Sequence, residues 1–377
     1  MTTDSIPSAA AESGDGLRRF ARHLSLPEFG LAAQEKLRRS AVLCIGAGGL
    51  GSPALMYLAA AGVGCIRIVD DDTVDLTNLQ RQILFTDADI GKPKAEVAAA
   101  RLRTIYPDIR AEAHRTRFLA ANAMTLATGC DLILDGSDNF ATRYLSTDTA
   151  VLLGIPNVYG SIFRYEGQAT VFAPALGGPC YRCLFPQPPA QGSVPTCAEG
   201  GVLGVLPGLI GTIQATEAIK LLTGTGTPLI GRMIHVDTLT MQFRELRLRR
   251  DPQCPVCGEN PTITAPQDIE FNCALSRENA ASVSATELEK ILTAPPPGLC
   301  VLDVREPWEY LLTPWPPATR RIPFAELESR RSEVPSGGEV IIVCSIGERS
   351  AEAVRLFKDH GCTSVRHLKN GLRDFLP

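Results

Sequence analysis

The sequence predicts two α/β units in series, the first built on a mostly parallel sheet covered by helices. Three observations predict it. Short apolar runs ending in small or acidic residues, AVLCIGAG, CIRIVD and CDLILDGSD, recur across residues 41–172. Segments of helical length and spacing, SPALMYLAAAG and KPKAEVAAARLRTIYP, lie between them. A similar alternation restarts at residue 284.

In chain order, residues 1–16 are polar and rich in small residues, and read as a disordered tail. They lack the basic region and apolar core of a signal peptide. A charged, Leu-bearing stretch over 17–40 is expected to be helical, and opens a first domain that runs to residue 260. Within it, residues 173–260 turn rich in Gly, Pro and Cys. Residues 261–283 read as a linker that carries Cys273, to which no chemistry is assigned. The second domain, 284–377, offers ATELEKIL as helix, CVLDVRE as strand and turn, EVIIVCSIGERS as strand and loop, and SAEAVRLFKDHG as helix.

The balance of 45% apolar and 21% charged residues is that of an ordinary globular chain. A net charge of -4 gives no reason to expect a nucleic-acid or membrane partner. The most membrane-like stretch, Val202 to Ile219, is broken by Pro207, Gln214, Thr216 and Glu217. Twelve cysteines without a signal peptide point to metal binding or catalysis in the cytoplasm.

Gly46, Gly48, Gly49 and Gly51 sit where a strand hands over to a helix. Glycines there let backbone approach a phosphate, and the helix N-terminus favours its charge. Asp70, 19 residues past Gly51 at the next strand end, is placed to accept from ribose hydroxyls. It could equally cap its own turn, and to this point NAD fits as well as ATP. Arg81 and Lys94 then favour ATP, because attack on an α-phosphate needs cations on the developing charge. Asp138 ends another strand and could hold Mg²⁺ against phosphates. Asn78 is a further polar candidate. Singly, each charge could be a surface pairing partner; together they mark one sheet edge.

Cys180 and Cys183 form one CxxC pair, and Cys254 and Cys257 another. Together they offer four thiolates for a closed tetrahedral zinc site, a structural clip. An iron–sulfur site or redox-active pairs are the alternatives. Cys197, in SVPTCAEGG, could be an attacking thiol in an exposed loop, or an incidental cysteine. Cys344 begins a loop between strand and helix, where amides and a helix N-terminus stabilise an anionic sulfur. Arg349 adds positive charge, and Asp303 and Arg305 are placed to orient the loop. A structural cysteine ending a strand, or a phosphatase-type loop, are the rival readings; the latter wants one more residue before its arginine.

The stretches RRFARHLSLPEFG, VLCIGAGGLGSP, VDDDTVDLTNLQRQILF, IGKPKAE, DGSDNFATR, EGQATVF, PCYRCLF and CPVCG resemble the ThiF/MoeB-like sulfur-carrier adenylyltransferases of molybdopterin and thiamine synthesis. LDVREPWEY and VCSIGERSAEA resemble a rhodanese domain. The pair resembles the fused adenylyltransferase/sulfurtransferases. The resemblance implies a Rossmann-like adenylyltransferase domain with a mixed sheet and structural zinc, followed by a small rhodanese-like domain. It implies ATP with Mg²⁺, a homodimer in which Arg22 reaches the partner's phosphates, and a ubiquitin-like carrier ending in Gly-Gly. By position it makes Asp70 the ribose acid, Arg81 and Lys94 phosphate ligands, Asp138 the magnesium-associated acid and Cys344 the persulfide cysteine. Cys197 matches a cysteine that in some relatives links to the carrier. The sulfur donor would be thiosulfate or a cysteine-desulfurase persulfide. The chain departs from the pattern at Ser345, where many rhodaneses have Arg, at TPWPPATRRIPFAEL and at KNGLRDFL. The implied function is adenylation of the carrier's C-terminal glycine, then persulfide transfer to a thiocarboxylate. Carrier activation for protein conjugation is an alternative, and an NAD-dependent oxidoreductase is another.

Overall fold

A computed structural model of the chain describes residues 18–188, 201–269, 281–335 and 337–375. The chain divides into two units, Met1–Glu270 and Phe271–Pro377.

In the first unit, helix α1 (Gly30–Arg39) leads into strand β1 (Ala41–Ile45), the glycine turn and helix α2 (Gly51–Ala60). Then follow β2 (Cys65–Val69), α3 (Lys94–Ile105), β3 (Arg110–His114), α4 (Ala120–Ala127), β4 (Leu132–Asp135) and α5 (Phe140–Leu153). Next come β5 (Asn157–Phe163), β6 (Glu166–Phe172), α6 (Val205–Thr223), β7 (Arg232–Asp237) and β8 (Gln242–Arg247). The stretch expected as helix over 17–40 is α1 preceded by a single turn at Ala21–Leu24.

The sheet order is β3-β2-β1-β4-β5-β6-β7-β8. The first five strands are parallel and the last three joints antiparallel, so the sheet is mixed. Both faces of the parallel part are covered. Val42 and Cys44 of β1 pack with Leu55, Leu58 and Leu102 on one face. Leu43 and Ile45, one residue out of phase, pack with Phe118, Leu126 and Leu145 on the other. This two-sided burial is why β1 and β4 read as unbroken apolar runs.

Helix α6 is long and apolar enough by composition to cross a membrane, yet it lies against this sheet. Its polar residues work inside the core: Gln214 Nε2 donates to the carbonyls of Asp135 (2.7 Å) and Val158 (3.1 Å). Glu217 Oε2 accepts the Leu229 amide at 2.7 Å.

The second unit contains β9 (Ser282–Val283), α7 (Ala285–Thr293), β10 (Cys300–Asp303), α8 (Pro307–Leu312), β11 (Arg320–Arg321), β12 (Val340–Val343), α9 (Glu348–Asp359) and β13 (Val365–Leu368). Its sheet, β11-β10-β12-β13-β9, is parallel throughout. Of the expected linker, residues 261–269 pack on the first unit, with Ile263 against the cysteine cluster and Ile269 against Tyr144 and Tyr181. Ser282 and Val283 already pair with β13.

Candidate functional sites in the two units

Strand order reverses between β1 and β4, and a crevice opens there at the carboxyl ends of the parallel strands. It is a cavity of about 680 Å³ lined by Gly46, Gly48, Gly49, Asp70, Arg81, Lys94 and Asp138. Residues from four separate sequence stretches are thus brought together.

The four glycines do different work. Gly46 has φ +87°, a left-handed conformation that disfavours any side chain. A Cβ on Gly51 would stand 2.0 Å from the Gly46 carbonyl, so Gly51 packs turn against helix and does not line the cavity. Gly46, Gly48 and Gly49 line it.

Asp70 Oδ2 accepts the Ala47 amide at 2.8 Å, which ties the end of β2 to the glycine turn. Its Oδ1 accepts the Asp72 amide at 2.9 Å. Burial pushes the Asp70 carboxyl above its ordinary value, against the pull of these amides and of Lys94. Lys94 opens α3 with its side chain buried, and its ammonium is 3.0 Å from Asp72 Oδ2. Arg81 donates to the Thr77 carbonyl at 3.0 Å.

Asp138 is exposed at the cavity end of β4, and the next residue, Asn139, caps α5 by accepting the Thr142 amide. Beneath it Asp135 is fully buried and accepts from Ser137 Oγ (2.6 Å), the Ser137 amide and Ser146 Oγ. This network fixes the strand end that carries Asp138.

Two expected residues lie elsewhere. Asn78 is half-buried in a single turn, Leu76–Asn78, whose carbonyl accepts the Arg81 and Gln82 amides; its side chain is not part of the lining. Arg22 is exposed at the Ala21–Leu24 turn, away from its own chain's cavity. Cys197 and Cys273 fall outside the described residues.

The cavity also contains residues that sequence reasoning missed. Gln82 is buried with its Oε1 lacking a hydrogen-bond partner, and Arg143 reaches in from α5. Gln82 directly follows Arg81 in NLQRQ, a signal that was present. Arg143 offered none, because an arginine on a helix reads as a solvent residue until its face is known.

The two CxxC pairs meet. Cys180 Sγ is 3.8 Å from Cys183, 3.4 Å from Cys254 and 3.4 Å from Cys257; Cys183 is 3.4 Å from Cys257. Four thiolates around a tetrahedral ion at Zn–S distances would be roughly 3.8 Å apart. The cluster could therefore hold a metal ion. Arg182, between the first two cysteines, forms a bidentate pair with buried Asp148 on α5 at 2.8–3.1 Å.

In the second unit, Cys344 follows β12 directly and is fully buried. Its Sγ accepts the amides of Gly347 (3.1 Å) and Ser350 (3.4 Å), at the N-terminus of α9. Gly347 (φ +92°) makes that turn possible. Asp303 and Arg305 do not bond this loop. They pair with each other at 2.8–3.0 Å, and Arg305 continues to Thr313, bracing the chain around α8. The group that does hold the loop is Glu309 of α8, which binds Arg349 and Ser345. Burial raises the Glu309 carboxyl, but Arg349 and Ser345 outweigh it and hold it below its ordinary value.

The ThiF family model matches residues 20–256, and a rhodanese-like domain matches 284–376. The chain belongs to the ThiF family. Its ThiF and rhodanese-like parts together align with the probable adenylyltransferase/sulfurtransferase MoeZ of Mycobacterium tuberculosis at 43% identity, over 97% of this chain and 94% of that one. The Arabidopsis thaliana adenylyltransferase and sulfurtransferase MOCS3 is 39% identical over 96% and 83%. A sulfur carrier protein adenylyltransferase of Thermus thermophilus is 50% identical over 69% of this chain and 97% of its own. Among solved structures, E. coli MccB shares the fold, with TM-score 0.58 and 21% identity over 66% of this chain and 73% of that one. This ThiF-family chain is an ATP-using enzyme of the adenylyltransferase/sulfurtransferase type.

Proposed function

We propose that the chain adenylates the C-terminal glycine of a small ubiquitin-like carrier ending in Gly-Gly, and that Cys344 then delivers sulfur to it. The observation that carries this reading is the gathering of Gly48, Gly49, Asp70, Arg81, Lys94 and Asp138 at one switch-point cavity, on a chain that also cradles a cysteine in amides.

Gly48 and Gly49 let phosphates approach the backbone, Asp70 accepts from the ribose, and Arg81 and Lys94 take the charge that develops as the carrier carboxylate attacks the α-phosphate. Exposed Asp138 offers the hard oxygen that suits Mg²⁺, which when bound would neutralise phosphate charge. Pyrophosphate leaves and an acyl-adenylate remains. The terminal sulfur of a Cys344 persulfide attacks the acyl carbon and AMP departs. A thiol then cleaves the acyl disulfide, releasing the thiocarboxylate and leaving a disulfide on Cys344; Cys197 is the candidate thiol. Arg22 serves the cavity of a second copy in a homodimer. Cys180, Cys183, Cys254 and Cys257 hold zinc as a closed clip, and the setting is the cytoplasm, where thiols stay reduced.

ATP–pyrophosphate exchange with a Gly-Gly-ending carrier, paired with its intact mass after adding a sulfur donor, tests the reading. Carrier-dependent exchange and an oxygen-to-sulfur mass gain are expected, with only the gain lost in Cys344→Ala. Exchange without any mass gain would favour carrier activation for conjugation.

A further inference from the structure

We infer that His367 is a positioning residue for Cys344: acting through the Ser350 hydroxyl, it turns a third hydrogen-bond donor onto the cysteine sulfur. The inference rests on reading Cys344 as the residue that carries sulfur.

His367 lies on β13 and is fully buried. Its strand neighbours are Ile342 of β12 and Ser282 of β9. Side chains alternate along a strand, so Ile342 and Cys344 share one face of the sheet. Both pack in the layer that holds Val365 of β13 and Val354 and Phe357 of α9. His367, two residues beyond Val365, brings an imidazole to that apolar layer. Burying a polar ring there is costly unless it is hydrogen-bonded. Its Nδ1 lies 3.5 Å from Ser350 Oγ, and Ser350 Oγ lies 3.4 Å from Cys344 Sγ. Strand β13, helix α9 and the end of β12 thus each supply one member of a connected row.

The Ser350 hydroxyl has one proton to give. Besides Cys344 Sγ and His367 Nδ1, it faces the Gly347 carbonyl at 3.1 Å. The ring decides where the proton goes. With its own proton on Nδ1, His367 donates to Oγ and no longer accepts from it. The hydroxyl proton is then left to the sulfur or the Gly347 carbonyl, and an anionic sulfur is the stronger acceptor of the two. A hydroxyl that accepts one hydrogen bond also donates the next more strongly. The sulfur therefore gains Ser350 Oγ in addition to the amides of Gly347 and Ser350. Without the ring, the hydroxyl falls back to the nearer Gly347 carbonyl.

The charged side chains around the loop are engaged with each other. Arg349 of α9 pairs with Glu309 of α8 at 2.7 Å, and Asp303 pairs with Arg305 at the end of β10. The direction of one neutral hydroxyl therefore counts at the sulfur.

The test is the rate at which iodoacetamide alkylates Cys344 in the full chain at one fixed pH, read by mass on the peptide that carries it. It is paired with the gain of sulfur by Cys344 from cysteine persulfide. His367→Leu is expected to slow alkylation about tenfold. In sulfur loading it should lower kcat by a similar factor and leave the donor's KM unchanged, because the ring acts on the sulfur and not on the donor. His367→Asn places an amide donor near the position of Nδ1, and is expected to bring both rates to within about threefold of wild type. Ser350→Ala should slow alkylation as much as His367→Leu, and joining the two substitutions should add nothing further. An unchanged rate in His367→Leu, no recovery in His367→Asn, or full additivity of the two losses would overturn the inference. So would a wild-type rate in Ser350→Ala, an arm that stands even if His367→Leu misfolds. If wild type gains no sulfur, the role of Cys344 fails, while the alkylation rates still decide the role of His367.

Discussion

Lys94 Nζ lies 3.0 Å from Asp72 Oδ2, with the ammonium buried and the carboxylate largely in solvent. A buried cation needs an anion at all times, whereas an exposed carboxylate can be exchanged at little cost. An arriving phosphate would take over from Asp72. Lys94→Met is expected to lower carrier-dependent pyrophosphate exchange by roughly 10²–10³. Asp72→Asn leaves Lys94 without its partner until nucleotide binds, so ATP should raise the unfolding temperature of this variant more than that of wild type.

The glycine turn separates packing from binding. Gly51→Ala puts a Cβ 2.0 Å from the Gly46 carbonyl and should destabilise the first unit by roughly 3 kcal/mol. Gly48→Ala meets only the Gln82 side chain, at 3.6 Å. It should leave the unfolding temperature near wild type and raise the KM for ATP. Thermal unfolding and exchange kinetics on both variants check the contrast, and equal destabilisation would contradict it.

Chelation tests the cysteine cluster. Elemental analysis is expected to find stoichiometric zinc, and its removal should lower the unfolding temperature of the first unit. Cys254→Ser should act in the same direction. A metal-free chain of unchanged stability would refute the clip.

Asp303 and Arg305 form a buried pair in the second unit. Asp303→Ala strands the guanidinium and should cost about 3–5 kcal/mol there. Two-transition unfolding is expected, with the second unit melting early while exchange by the first persists.

The lowered Glu309 carboxyl fixes a pH dependence. A group whose folded value is depressed contributes stability above its unfolded value and loses it as pH falls through the folded one. The unfolding-temperature advantage of wild type over Glu309→Gln should therefore be full at neutral pH. It should shrink as pH drops below about 4.5. A gap independent of pH would show that Glu309 acts only through shape.

Much of the first site was legible because its parts lie at strand ends. Gly46, Asp70 and Asp138 each follow an apolar run, and parallel topology collects such ends at one edge. What local pattern could not carry was direction. It could not say that Gly51 faces Gly46 and not a ligand, or that Arg143 turns inward. Local pattern missed β8 too, which is exposed along its length and has no apolar run to betray it, so the mixed sheet was expected from the resemblance alone. In the second unit, Asp303 and Arg305 looked like loop-orienting groups because they are charged at a strand end. Glu309 took that part instead. Its place one helical turn beyond the strand could be read only once α8 was seen to lie over the cysteine loop.

The meeting of Cys180 and Cys183 with Cys254 and Cys257 also bears on how the chain is made. A ribosome releases residues in order, so for the time needed to synthesise α6, β7 and β8 the first pair waits with no counterpart. During that interval β6 has only β5 beside it and its other edge is open. The nascent chain is then most prone to pair with a neighbour, and metal can enter its complete four-thiolate site only after the last of these strands has emerged. Zinc scarcity during translation should therefore appear as loss of soluble yield rather than as a slower enzyme.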